Sequence, residues 1–212
     1  MNFLSLSLGL GLLIGMSGVS PAVLAGPEQA SAPQAQAETR RYFDGQRWRQ
    51  VWVSASEIAE LSPRPEAAAR LRALAPGAET VHQGVQVRLW RIDDATDASP
   101  AASTVSRALN TVPATAEGSR FVPVFHLSPR GGAPLVAVGN IILRFPLQGA
   151  PQDPVLWGEA RGLRLVKALG LAHSYLFHVA DGADVLSKAE QLQLGGEVVY
   201  ALPEWWRKAQ RR

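Results

Sequence analysis

The order of predicted elements between residues 137 and 204 constrains this chain more than any other feature. A strand is followed by a helix beginning at Asp153-Pro154, where Asp is a typical N-cap and Pro a typical first helical residue. Two strands, a second helix from Asp184 and a last strand over 198–201 complete the series. This strand–helix–strand–strand–helix–strand order predicts a ferredoxin-like sheet with both helices on one face.

Such a sheet has a second face, and residues 137–203 hold nothing that would cover it. An apolar open sheet face usually marks a surface for a partner. The alternative is that residues 40–136 pack on this face. The sequence favours neither interpretation.

Residues 40–92 predict a small α/β domain, so the expected fold class of the whole chain is α+β. An aromatic hairpin is expected around the Asp-Gly turn at 44–45, a dipeptide typical of tight hairpins. Ser54 and Glu57 have the spacing of a capping box, which predicts a short helix. Pro65 begins a second predicted helix.

Local composition predicts the other boundaries between segments of the chain. Residues 26–39 are small and polar, which predicts disorder, and residues 93–119 hold almost no large side chains. The predicted series is a signal peptide (1–25), a disordered segment (26–39), an N-terminal domain (40–92), a linker or long loop (93–119), a hairpin (120–136), the C-terminal domain (137–204) and a basic tail (205–212).

The first residues predict export from the cell. No charged side chain occurs in residues 1–27, which contain an apolar run from Phe3 to Met16 and then a small residue, Ala25. This pattern predicts a signal peptide cleaved near Ala25 and a mature protein in the periplasm or the medium. The alternative is a membrane anchor, but the run is too short to cross ~30 Å of hydrocarbon. We expect no stable membrane anchor.

Charge is concentrated at the C-terminal end of the chain. Residues 204–212 carry four basic side chains and one acidic one, which equals the net charge of +3 of the whole sequence. The rest of the chain is neutral, and a cationic face for nucleic acid is therefore not expected.

The sequence shows no constellation of catalytic residues. It contains no cysteine, its four histidines share no metal-ligand spacing, and it has no nucleophile elbow or phosphate loop outside the predicted signal peptide. We therefore expect a protein that is not an enzyme and that holds no metal or cofactor.

The basic tail is the candidate site. Adjacent tryptophans are costly to leave in water, since each buries some 200 Å² when it is packed. They are expected to anchor the tail either at the edge of the domain or on a partner. A frayed, solubilising terminus is the alternative. The candidate binding residues are Trp205, Trp206, Arg207, Lys208, Arg211 and Arg212.

Four stretches in the second half resemble the propeptides of subtilases, the subtilisin-like serine proteases. They are residues 135–145, 161–163, 179–184 and 196–205, and they occur in the order and spacing of that family. The last stretch, Gly-Glu-Val-Val-Tyr-Ala-Leu-Pro-Glu-Trp, is similar to the closing strand of those propeptides. The match covers about 70 of the 212 residues.

The first half resembles a related group. Residues 41–45, 51–53 and 87–91 are similar to the N-terminal domain of separately encoded, external chaperones of kexin-like secreted serine proteases. The resemblance implies a 1:1 complex in which the chaperone docks its open sheet face on the protease, assists folding and inhibits the active site with its tail. It also implies that Arg211 and Arg212 enter acidic specificity pockets.

Three other interpretations remain open from the sequence. One is a stand-alone inhibitor of foreign subtilases with no role in folding. Another is an envelope structural or binding protein unrelated to proteases. The last is the front part of a protease gene broken by a frameshift.

Overall fold

A computed structural model of the chain describes residues 38–92, 105–106, 109, 118–180 and 184–208. The predicted signal peptide, nearly all of the predicted disordered segment, most of the predicted linker and the last four residues lie outside these ranges. Within them, no helix has the length and apolar character needed to cross a membrane.

Strands predominate among the described residues. The strands are β1 (Thr39–Phe43), β2 (Trp48–Leu61), β3 (Ala78–Gln83), β4 (Val87–Ile92), β5 (Arg120–His126), β6 (Leu135–Arg144), β7 (Leu163–Ala168), β8 (Ser174–Val179) and β9 (Tyr200–Arg207). The helices are α1 (Pro65–Leu74), α2 (Pro154–Glu159) and α3 (Val185–Leu194).

The predicted fold class is wrong. The strands form one mostly antiparallel sheet in the order β3-β4-β2-β5-β6-β8-β7, with β1 beside β2 and β9 beside β6. An α/β domain followed by a separate ferredoxin-like α+β domain is not present, because strands of the two halves pair with each other. Phe125 of β5 is the register partner of Leu135 of β6.

The long strand β2 organises the N-terminal half of the sheet. Its residue Trp52 pairs with Thr39 of β1 on one edge and with His126 of β5 on the other. Further along, Ile58 pairs with Trp90 of β4 and again with β5. One strand, β2, therefore pairs with three neighbouring strands. The sequence instead predicts a hairpin strand for the first part of β2 and a helix for the rest.

The predicted helix at Ser54–Glu57 is wrong, and the reason is local. The Ser54 hydroxyl oxygen accepts hydrogen bonds from the N–H groups of Ser56 (3.4 Å) and Glu57 (3.1 Å), as a helix cap would. In β2 these bonds stabilise a bulge between Val53 and Ile58. The same short-range bonds serve either conformation, and pairing with β4 and β5 selects the strand.

The predicted Asp-Gly hairpin is confirmed. Phe43 of β1 pairs with Trp48 of β2 around Asp44 and Gly45. Hydrogen bonds from the Arg49 side chain and from the N–H groups of the turn lower the pKa of Asp44 to about 2. The predicted helix at Pro65 is also confirmed as α1.

Three apolar clusters form the core. The first packs α3 against one side of β6, β8 and β9, through residues such as Leu186, Ile141 and Phe177. The second packs α1 against the N-terminal strands and includes Trp90. The third lies among β2, β4, β5 and β6 and includes Val136.

Helix α2 is shorter than the sequence predicts. The apolar spacing of Leu156, Ala160 and Leu163 indicates a helix that runs past Gly162, whereas the helix ends at Glu159 and Leu163 is the first residue of β7. Gly162 has a positive φ of 69°, which favours glycine and reverses the chain into β7.

Candidate protein-binding face

The sheet has a partly covered side in its C-terminal half, where Leu176 is buried and two neighbouring apolar side chains are half-buried. Ile142 of β6 pairs with Leu176 of β8 and with Leu202 of β9, so the three side chains share the face opposite the helices. Among the described residues, these three belong to none of the core clusters. We call the surface formed by Asn140, Ile142, Leu176, His178, Leu202 and Glu204 the open face.

The N-terminal half covers one end of this side of the sheet. Val136 and Trp206 pack there with Leu89 and Val124 in the third cluster. Ile142 and Leu202, further along the strands, stay half-buried. The sequence leaves open whether this face is covered by residues 40–136 or is free for a partner. The first interpretation describes the end near Val136 and Trp206, and the second describes the end near Ile142 and Leu202.

A polar row crosses the open face beside these apolar side chains. Asn140 donates from Nδ2 to the Glu204 carboxylate (2.7 Å), and its Oδ1 lies 2.9 Å from Nδ1 of His178. Since the Asn140 oxygen can only accept, His178 must carry a proton on Nδ1. The row fixes the His178 ring and links β8, β6 and β9.

A bulge in β6 makes room for an arginine from the N-terminal half. Gly139 has a φ of 98°, and the register of β6 with β9 shifts between Ala137 and Ile141. A Cβ added at Gly139 would clash with Nη2 of Arg120 and would lie 3.3 Å from Cε1 of His178. The glycine therefore admits the Arg120 guanidinium to the edge of the polar row.

Three cations lie along one side and one end of the open face, on β7 and at the end of β6. Arg144 is the register partner of Ser174, Arg164 of His178, and Lys167 of Leu176, and all three basic residues are exposed. Within the described ranges none of them forms an ion pair. An apolar centre with an unpaired basic rim is complementary to an acidic surface that has an apolar patch.

The two tryptophans of the candidate tail belong to β9. Trp205 pairs with Ala137, and its ring lies 5.2 Å from that of Tyr42 and 5.8 Å from that of Phe125. Trp206 packs on the third cluster, with its ring 5.1 Å from that of His82. Both are half-buried, so they hold β9 against the sheet and leave little surface for a partner.

The remaining tail residues differ in placement. Arg207 is the last residue of β9, and Arg207 and Lys208 are exposed. Arg211 and Arg212 lie outside the described residues. Arg207 and Lys208 are therefore exposed at the end of β9, directly after the two half-buried tryptophans.

Two acidic residues elsewhere, Glu197 and Glu57, are engaged in local contacts. A hydrogen bond from Arg161 (2.6 Å) lowers the pKa of Glu197, which also accepts from the Trp157 indole. His126 lies 3.2 Å from Glu57. In the described part of the chain no three His, Cys, Asp or Glu residues come together as metal ligands.

No family model, curated protein or solved structure matches this chain.

Most of the open face has no signal in the sequence. Asn140, His178 and Glu204 lie on three strands and are 26 or more positions apart in the sequence. A cross-strand row leaves no local spacing to detect. The isolated Gly139 within an apolar strand was the available signal, since such a glycine often marks a bulge or a close approach.

Proposed function

We propose that this protein is a non-catalytic chaperone and inhibitor of a kexin-like, subtilisin-type serine protease. In this proposal the open face docks on the protease surface, and the basic end of the chain occupies the active-site cleft. The protein acts after export, in the periplasm or the medium, in a 1:1 complex without cofactors.

The observation that carries the proposal is the charge distribution around the open face. Arg144, Arg164 and Lys167 form no ion pair among the described residues, and Glu204 is the acidic group of the polar row. Positive charge that is not neutralised by neighbouring acids, beside half-buried Ile142 and Leu202, favours binding of an acidic partner and increases its association rate.

The end of β9 supports the tail contact. Arg207 and Lys208 are exposed where the strand leaves the sheet, and Arg211 and Arg212 follow within four positions. A bound segment of four residues spans at most about 14 Å. The cleft must therefore lie next to the end of β9, with the adjoining sheet against the protease.

The resemblance to subtilase propeptides is consistent with this placement. Its first stretch, residues 135–145, falls on β6, and its last, residues 196–205, falls largely on β9. These two strands carry four of the six residues of the open face.

The test is refolding of a kexin-like protease with the full chain, without it, and with a chain lacking Arg211 and Arg212. The full chain should raise the yield of active protease once it is removed, and should inhibit the enzyme while bound. Each guanidinium makes charge-assisted hydrogen bonds of about 1.5–3 kcal/mol, so deletion should weaken inhibition by roughly two to four orders of magnitude.

Other outcomes separate the alternatives. Inhibition without any gain in refolding yield would indicate a stand-alone inhibitor. Equal yields of active protease and no inhibition in all three reactions would favour the interpretation of an envelope binding or structural protein unrelated to proteases.

A further inference from the structure

One end of the sheet concentrates exposed apolar side chains. Six of the ten exposed large apolar residues in the described ranges lie there. We call this set the apolar tip, and its members are Leu147, Val155, Leu156, Leu171, Leu194 and Val199.

Backbone hydrogen bonds hold the loops of the apolar tip together. Val199 donates to the carbonyl oxygen of Arg144 at the end of β6 (2.7 Å). Phe145 donates to the carbonyl oxygen of His173 in the turn between β7 and β8 (2.9 Å), and Leu171 lies in the same turn. Three connecting segments therefore meet at this end.

The ends of two helices join these loops. Helix α2 begins beside them, since the ring of Trp157 lies 4.8 Å from that of Phe145. Helix α3 ends beside them, since Gln193 donates from Nε2 to the Val199 carbonyl oxygen (3.5 Å). The exposed residues of both helices thus extend the patch formed by the loops.

The exposed side chains of the apolar tip are arranged in a way that fits a lipid surface better than a protein surface. Leu147 is 84% exposed, and Leu156 and Leu194 are each 63% exposed. They project singly from separate segments, whereas the centre of a protein interface is packed as closely as a protein interior. A lipid surface accepts projecting apolar side chains without a complementary shape.

Charge at this end favours an anionic surface. Arg144 and Lys167 are exposed at the ends of β6 and β7 and form no ion pair within the described part of the chain. Two of the nearby acids are engaged, because Asp153 accepts the first N–H groups of α2 and Glu197 pairs with Arg161, whereas Glu159 at the end of α2 is exposed and forms no ion pair with described residues. Each basic residue near an anionic membrane strengthens binding by about fivefold.

We propose that the apolar tip docks reversibly on an anionic lipid surface. Leucines from the loops enter the interfacial region, and Arg144 and Lys167 contact lipid phosphates. This contact differs from a membrane anchor, because no spanning segment takes part. Arg144 and Lys167 also belong to the rim of the open face, so lipid and protease would compete for these two side chains, whereas the leucines of the tip and the basic end lie at opposite ends of β9.

The test is flotation of the full chain with vesicles of phosphatidylcholine alone or mixed with phosphatidylglycerol. We expect binding to the anionic vesicles, weakened by salt, and a partition at least about tenfold weaker for Leu147→Ser combined with Leu171→Ser. Val85→Ser is the matched control, since Val85 is 95% exposed in the turn between β3 and β4.

The proposal is overturned if the wild-type chain binds neither vesicle, or if Val85→Ser reduces binding as much as the tip variant. It is also overturned if sedimentation shows a dimer that the tip variant dissociates while vesicles bind nothing. Protease inhibition measured on the same variants should stay unchanged, which distinguishes this result from a failure of the proposed function.

Discussion

Asn140 and Glu204 join β6 to β9 across the bulge at Gly139, through a hydrogen bond of 2.7 Å from the amide to the carboxylate. The same amide holds the His178 ring through its oxygen. One side chain therefore satisfies two polar groups on a half-buried surface, and the open face depends on it for its shape.

Replacing Asn140 with Leu should destabilise the protein by about 1–3 kcal/mol, because Glu204 and His178 each lose a partner. Urea unfolding at neutral pH measures the loss. Gln148→Leu removes an exposed amide that forms no hydrogen bond with described residues, and it should change stability by less than about 0.5 kcal/mol. Equal effects of the two substitutions would show that the polar row contributes nothing.

Gly139→Ala should be more disruptive than Gly45→Ala. Both glycines have a positive φ, 98° and 94°, so both variants carry backbone strain. Only at Gly139 would the new Cβ meet another group, the Arg120 guanidinium. Thermal unfolding should show a loss of about 1 kcal/mol for Gly45→Ala and clearly more for Gly139→Ala. A reversed order would contradict the close approach of Arg120.

Glu60 is fully buried and should be the most sensitive carboxylate in the N-terminal half. It accepts hydrogen bonds from Trp90 (3.1 Å) and Ser119 (3.2 Å) and pairs with Arg88 (3.3 Å). Glu60→Ala leaves the half-buried Arg88 guanidinium without its ion-pair partner and removes the acceptor of Trp90 and Ser119, and it should cost about 3–5 kcal/mol in chemical unfolding. Glu79→Ala, on the exposed side of β3, should stay within about 0.5 kcal/mol of wild type.

Acid should remove the contribution of the first hairpin turn. Because the pKa of Asp44 is lowered to about 2 from 3.8, its stabilisation is complete at neutral pH and is lost as the pH falls from about 4 to 2. Asp44→Asn should therefore be less stable than wild type at pH 7, and the difference should shrink over that interval. Unfolding curves that stay equally far apart at pH 2 and pH 7 would contradict this assignment.

Short-range signals predicted the elements that they alone determine. The Asp-Gly turn at 44–45 and the proline that begins α1 needed no distant partner. Ser54 shows the limit of such signals, since its hydroxyl makes the bonds of a cap while the backbone is extended in β2. Tertiary pairing decided between two locally equivalent conformations.

The sheet and the open face could not be predicted, because both depend on long-range pairing. The hairpin predicted at 120–136 is confirmed, since Phe125 lies opposite Leu135. What the sequence does not show is that β6 of this hairpin also pairs with β8 and β9, whose partner residues lie 30 or more positions away. Trp205 and Trp206 illustrate the same limit. The sequence predicts that exposing the two tryptophans to water is unfavourable. It does not predict that they pack on Tyr42 and His82, because these partners lie more than a hundred positions away.

The most direct test of the account is the affinity of the full chain for a kexin-like protease, measured as an inhibition constant for the wild type and two charge-reversal variants. Arg144→Glu combined with Arg164→Glu alters the rim of the open face, and Arg70→Glu alters an exposed arginine of α1. We predict inhibition by the wild type and by Arg70→Glu, and inhibition at least about tenfold weaker for the rim variant. Absence of inhibition by the wild type, or equal inhibition by all three chains, would contradict the proposed role of the open face.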